Sequence, residues 1–520
     1  MSLRIRTTII FIFSWLVFSL NIGGNSIYIL DEAKNATCAL EMMESSNWIV
    51  PTFNGVLRTD KPPLHYFLMI IAYKIFGTNE FAARFFSAFF GALTVVITFL
   101  FSVKFWGQSV GNWVAVVLLS SLHFALQFHL AVPDPYLIFF ITAGLISFFY
   151  FLNESRTIYL VAFYASLGLG VLTKGPIAVL LPGFALFLFV ICTKRLNWNF
   201  IKSLRLPVGT AIFLAVALPW YWLVHNQTDG AWTQGFFLQH NVGRFTETME
   251  GHGGIFILTP LFVLVGLLPF SVFIFQTVKL VWHDRQNEVV LYCASIVTAV
   301  IVFFSVSSTK LPNYVVPAYP FLAVLLANFL SKSAAGTLTT SRLPLWIYLI
   351  LASGIPVGVY LGLKSEPYLS HLSWLSAFFL LLPLGALLGL WLGRRRVANA
   401  YYALFISFLI LNSLFFAFIF PKVDRETPVF ESKAFLAGQD IRVAYYKRFN
   451  PSFAFYLPKP IQALNSPKEL TAYLQAHEAV YIISRARYLD EIEEVADVDL
   501  LVKKRDFFER STTILLKERE

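Results

Sequence analysis

The sequence predicts an all-α polytopic membrane protein of about thirteen transmembrane helices, followed by a small α/β soluble domain. Three observations carry this. Hydrophobic residues fill 57% of the 520 positions, and Asp, Glu, Lys and Arg only 13%, too little charge to coat a soluble body of that length. Apolar runs of about 20 residues, each enough to cross about 30 Å of hydrocarbon, recur from Ile9 to Phe420. Beyond Phe420 they stop, and short β-rich runs ("IRVAYY", "AVYIIS", "TTILL") alternate with helical ones.

In chain order the spans are expected near 8–24, 83–104, 111–128, 135–152, 157–173, 176–193, 206–225, 257–280, 288–306, 312–330, 342–363, 371–393 and 398–420. The first run is not followed by a small-residue cleavage pattern, so it reads as a retained span and not as a signal peptide. With the N-terminus inside, every cytoplasmic segment carries at least one basic residue: Arg4 and Arg6, Lys104, Arg156, Lys194 to Arg205, Lys279 and Arg285, Lys332 and Arg342, then Arg394 to Arg396. That pattern explains the net charge of +10 without nucleic acid. It places residues 421–520 on the outer side as a soluble domain, beyond the transmembrane part, residues 1–420. Two outer loops are long, 25–82 and 226–256. The first holds "KPPLHYFLMIIAYKIFG", too short to span. It is expected to be an interfacial helix with Pro62 and Pro63 in its first turn.

The outer face collects the residues that carry chemistry. They are Asp31 and Glu32 after span 1, Lys61 in the first loop, Asp134 between two prolines, Lys174 in a Lys-Gly-Pro turn, Arg244 in the second loop, and Lys310 with Tyr314 at the start of span 10. Taken singly, each has an ordinary role. Charges near span ends snorkel or cap helices; Asp31 fits an N-cap, and Asp134 a helix start. Together, acids and bases at a water–lipid boundary suit a reaction between a membrane-anchored phosphate ester and a polar acceptor. Lys and Arg neutralise phosphate, and a carboxylate can orient a hydroxyl and accept its proton. His65, His123, His129 and His252 lack the spacing of a zinc site. Cys38, Cys192 and Cys293 lack metal spacing and are not expected to form a disulfide framework. No GxxxxGK[ST] loop supports ATP-driven transport.

The stretch "LDEAKNATCALEMMESSNWIVPTFNGVLRTDKPPL", with "AVPDPYL", "GLGVLTKGPIA", "LPWYWLV", "HNVGRFT" and "STKLPNYVVPAYP" following in order, resembles the GT-C glycosyltransferases. The similarity is to the branch that uses polyprenyl-phosphate sugars, among them lipid A aminoarabinose transferases and protein O-mannosyltransferases. The resemblance implies an inverting, metal-independent transfer, with no cofactor, from an undecaprenyl-phosphate sugar on the outer side. It matches Asp31 to the catalytic aspartate, Asp134 to the second acidic position, and Lys61, Arg244 and Tyr314 to positions that hold the carrier phosphate, with Lys310 beside them. One departure is that "LRTDKPPL" keeps an acid, Asp60, before the lysine but not the aromatic the family commonly carries. The acceptor stays open between lipid A, another envelope glycolipid, and protein. A transporter or flippase of lipid-linked sugars is the reading from another class. Transporters place ionisable groups near mid-membrane in repeated halves, whereas here they gather at one face with no visible repeat.

Overall fold

The computed structural model describes residues 2–243, 253–338, 340–436, 441–457, 460–507 and 511–519. Among these, nine helical segments are long and apolar enough to cross a membrane, or ten when a bent pair is counted as one. Both counts fall below the thirteen expected, and the difference has local causes. The first run forms α1 (Leu3–Ser19), only 17 residues long. Expected span 83–104 and the first part of 111–128 lie in one helical segment, Glu80–Ser120, with a break at Gly107, whose φ of 81° belongs to the left-handed side that glycine tolerates; residues 122–128 form a separate short helix. At that break the chain folds back, so that Gly111 packs on Phe99 and Val103. Expected span 176–193 is a 16-residue helix containing Pro182. Expected span 257–280 is two helices, Leu258–Gly266 and Phe270–His283, bent by 116°, with Pro269 at the break, where its missing N–H interrupts the ladder.

Between α1 and the helix that follows it in the bundle lies the first long loop. It forms α2 (Leu30–Glu44), a two-stranded hairpin of β1 (Thr52–Phe53) and β2 (Val56–Leu57), and α3 (Leu64–Phe76). Asn54 and Gly55 both take positive φ, the signature of a two-residue hairpin turn. Glu41 of α2 anchors the hairpin, accepting from Thr52 Oγ1 at 2.6 Å and from the Asn54 amide at 2.6 Å. Two expectations are corrected here. Asp31 is not the N-cap of α2: that position is Ile29, and Asp31 lies in the first turn, where a negative charge suits the helix dipole. Pro62 and Pro63 precede α3, with Pro63 at its N-cap.

α4 (Glu80–Ser120) and α5 (Leu122–Phe128) lead to α6 (Asp134–Glu154), which opens on Asp134 with Pro135 in its first turn. α7 (Thr157–Lys174) turns into α8 (Ile177–Cys192) through Gly175, at φ 82°. The bundle's start is fixed by one buried ion pair. Arg84 of α4 directs Nε and Nη2 to the two oxygens of Glu32 at 2.7 and 2.8 Å, and its remaining N–H groups to the carbonyls of Ile22, Asn25 and Ser26. Glu32 also accepts from the Ala131 amide at 2.8 Å.

The last span continues to Asp424. Thereafter β3 (Arg442–Tyr446), β4 (Gln462–Leu464), β5 (Val480–Arg485), β6 (Val498–Arg505) and β7 (Thr512–Glu518) form one sheet in the order β4-β3-β5-β7-β6. β3 runs parallel to β4 and β5, and β7 is antiparallel to β5 and β6. This layer is fastened to the first loop. The Ser26 amide donates to Asp424, the Ile27 amide to Tyr456 Oη, Tyr28 Oη to Asp506, and Asn54 exchanges two hydrogen bonds with Ile461.

Removing one partner of the Arg84–Glu32 pair strands a buried charge, which costs about 3–5 kcal/mol. Arg84→Ala is therefore expected to lower the melting temperature of the detergent-purified chain sharply. Wild-type melting would remove this pair from its structural role.

Candidate functional site

The second long loop is held against the first by an apolar cluster. Trp232 and Phe236 pack with Trp220, Val224 and Leu172, and Leu57 and Leu64 lie against them. Trp232, fully buried, donates its indole N–H to the Arg58 carbonyl at 2.8 Å. This brings His240 within 3.1 Å of Asp60 Oδ1, while Arg58 Nε approaches Oδ2 at 3.4 Å. Asp60 is thus gripped from both loops. Burial pushes its carboxyl upward, but Arg58, Lys61, His240 and Lys34 together hold it below the usual range. His65, at the start of α3, is pushed well below its ordinary value by burial and by the positive charges of Arg58, Lys61 and Lys174. It is therefore neutral at physiological pH.

The second acid sits across from this loop. Asp134 is buried, and its Oδ1 accepts from Lys174 Nζ at 2.8 Å and from Asn313 Nδ2 at 3.0 Å. The same ammonium lies 5.3 Å from the centre of the Tyr314 ring. Asp60, Lys61, Asp134, Lys174, His240, Ser307, Asn313 and Tyr314 line a single cavity of about 460 Å³. Its remaining walls are apolar, including Leu137, Leu180, Leu181, Phe236, Phe303 and Phe304. A charged head and a hydrocarbon tail can be accommodated in one continuous space.

Of the residues expected to converge, Lys61, Asp134, Lys174 and Tyr314 do so. Lys310 is buried beside them, with Nζ donating 2.7 Å to the carbonyl of Ser307, which lines the cavity. Asp31 is exposed on α2 and is not part of the lining. Its charge nevertheless helps stabilise the Arg58 guanidinium that grips Asp60. Glu32 is placed elsewhere: it is buried, and both its oxygens are engaged by Arg84. Arg244 and His252 lie outside the described residues. Arg58, Asp60, His240 and Asn313 join the site from beside expected positions. Their signal in the sequence is polarity within "LRTDKPPL", "QHNVGRF" and "KLPNYV", which does not say which loop meets which.

A helical bundle whose ionisable groups share one cavity with apolar walls is compatible with the GT-C fold that the sequence resembles. The comparisons agree with this. The family described as dolichyl-phosphate-mannose-protein mannosyltransferase matches residues 8–233. The undecaprenyl phosphate-alpha-4-amino-4-deoxy-L-arabinose arabinosyl transferase 2 of Pseudomonas fluorescens (strain Pf0-1) is 31% identical over 61% of this chain and 58% of its own. The corresponding transferase of Yersinia pestis (strain Pestoides F) is 29% identical over 62% and 59%. An uncharacterized protein of Aquifex aeolicus is 28% identical over 65% and 66%. The matched segment therefore spans less than two thirds of these relatives. In solved structures, ArnT from Cupriavidus metallidurans bound to undecaprenyl phosphate superposes with a TM-score of 0.81 at 20% identity, over 98% of this chain and 97% of that one. Its apo form gives 0.80. The chain has the ArnT fold and is similar to glycosyltransferases that draw sugar from a lipid phosphate.

Asp60 supplies a pH test. Its folded value lies below the ordinary aspartate value of about 3.9. The stability it contributes is therefore complete above that value and lost as pH falls through the lower folded one. Asp60→Asn is expected to melt lower than wild type at neutral pH, with the gap closing only under strong acid. A gap constant down to about pH 2 would contradict the grip on the ionised carboxylate.

Proposed function

We propose that the chain transfers a sugar from an undecaprenyl-phosphate or similar polyprenyl-phosphate donor to an envelope acceptor, by inverting single displacement. It does so at the periplasmic side of a bacterial inner membrane. The acceptor is lipid A or a related envelope glycan or lipid. Residues 1–420 form the catalytic transmembrane unit, and residues 421–520 a periplasmic domain. The observation that supports this reading is the cavity whose polar end holds Lys61, Asp134, Lys174 and Tyr314 and whose walls are apolar.

In this mechanism the isoprenoid lies along the apolar walls, where each buried CH₂ contributes about 0.8 kcal/mol. An acceptor oxygen bonds to the anomeric carbon as the bond from that carbon to the phosphate oxygen breaks, and the electron pair of the broken bond leaves with the carrier phosphate. Lys61 and Arg244 stabilise the charge that grows there. This accelerates transfer insofar as the stabilisation is stronger in the transition state than in the bound donor. The Tyr314 hydroxyl contributes to the phosphate site. Asp134, held by Lys174 and Asn313, orients the sugar. Asp31 orients the acceptor, and takes its proton where the nucleophile is a hydroxyl. An already ionised acceptor phosphate needs no base, and Asp31 then only positions it.

The test is transfer of radiolabel from donor to acceptor in detergent, where no compartments exist. An enzyme moves the label and a flippase leaves it on the carrier. Asp31→Asn is expected to abolish transfer while retaining donor binding, and full turnover by that variant would remove Asp31 from the mechanism. Lys61→Ala is expected to weaken donor binding by about tenfold or more. Unchanged affinity would count against its phosphate role.

A further inference from the structure

A second cavity, of about 670 Å³, lies between α2 and the C-terminal sheet. α2 contributes Leu30 and Lys34. The rest comes from the carboxyl ends of β3 and β5 and the start of β7: Lys447, Arg448, Phe449, Arg485 and Arg487 in particular. β3 and β5 are parallel neighbours, and β4 lies on the far side of β3. The chain thus passes from β3 to one side and then to the other, which makes the gap between β3 and β5 the switch point of this sheet. Ligands of α/β sheets bind outside the carboxyl ends of strands at such a point.

The lining is strongly cationic and includes no carboxylate. Two of its five cations are neutralised from behind. Lys447 meets both oxygens of Glu491 at 2.7 Å, and the buried Arg485 pairs with Asp506. Among the described residues Lys34, Arg448 and Arg487 pair with no carboxylate. A concave wall with three such cations, two of them planar guanidiniums, matches a phosphomonoester, whose oxygens accept bidentate N–H donation. An evenly charged solvated face would have neither the concavity nor the aromatic floor of Tyr445 and Phe449. The cleft also adjoins the site described above. Lys34 lines it, yet its charge helps hold Asp60 ionised in the other cavity, and Asp31 sits between Leu30 and Lys34 on the same helix.

We propose that this cleft binds the phosphomonoester head group of the sugar acceptor and presents it to Asp31 across α2. The inference rests on the transferase reading and adds to it a place where the acceptor is recognised, on the C-terminal sheet.

The probe is glucosamine disaccharide 1,4′-bisphosphate, titrated calorimetrically into the full chain in detergent, with the dephosphorylated disaccharide as control. The bisphosphate is expected to bind and to weaken with added salt, while the control binds at least about tenfold less tightly. The double variant Arg448→Ala/Arg487→Ala, both positions exposed, is expected to lose about tenfold or more in bisphosphate affinity. Its melting temperature and undecaprenyl-phosphate affinity should be unchanged, and Arg448→Lys/Arg487→Lys should recover part of the loss. Equal affinity for bisphosphate and control, or an unaffected double variant, overturns the proposal. A parallel arm measures the same variants against vesicles of phosphatidylglycerol. An effect confined to the vesicles assigns the cleft to bulk lipid head groups and overturns its acceptor role. Bisphosphate binding that depends on the two arginines, in a wild-type chain that transfers no label, supports the anion site and overturns the transferase reading alone.

Discussion

The Arg84–Glu32 ion pair is the constraint on which the outer part of the molecule depends. A guanidinium with all five N–H groups engaged joins the start of α4, the start of α2 and the carbonyls of residues 22, 25 and 26. The cost of desolvating both ions is met by near-ideal geometry and by the Ala131 amide on the carboxylate. Once α2 is fixed at this end, Asp31 and Lys34 are fixed with it. The hairpin that Glu41 carries, and the loop containing Asp60 and Lys61, then follow within reach of α6 and α7. The sheet is docked on the same ground, through Ser26, Ile27 and Tyr28.

Charge in the candidate site is arranged in opposed pairs. Asp134 faces Lys174, and Asp60 faces Arg58 and His240. Such pairing offsets part of the cost of placing charged side chains beside apolar walls. It also fixes their directions before any ligand arrives, which favours a site that acts by placing charge rather than by moving it.

The bundle was legible because long apolar runs leave few alternatives. Where reading failed, the reason is geometric. Consecutive residues on a helix diverge by about 100°. Asp31 and Glu32 therefore look like one acidic pair in the chain, yet one is exposed and the other is the interior partner of Arg84. The bent pair at Pro269 reads as a single apolar span, because hydropathy does not register direction. Lys61, Asp134, Lys174 and Tyr314 were legible because topology alone carries them to one face. Arg58, Asp60 and His240 were not, because their meeting depends on the packing of Trp232 and Phe236 between two loops. The cationic cleft was equally hidden, since its arginines lie in the C-terminal segment and acquire meaning only when β3 and β5 pair.

The contact between His240 and Asp60 has a thermodynamic corollary. The segment Gly235–Val242 contributes Phe236, Phe237, Leu238 and His240 to the cavity lining. A bulky lipid that needs this segment displaced binds only the fraction of molecules in which the clasp is undone, so its apparent dissociation constant is the intrinsic one divided by that fraction. A ligand that fits beneath the closed clasp escapes this tax. The His240–Asp60 contact, with the packing of Trp232 and Phe236, therefore weights the cavity toward occupants that fit without moving this segment.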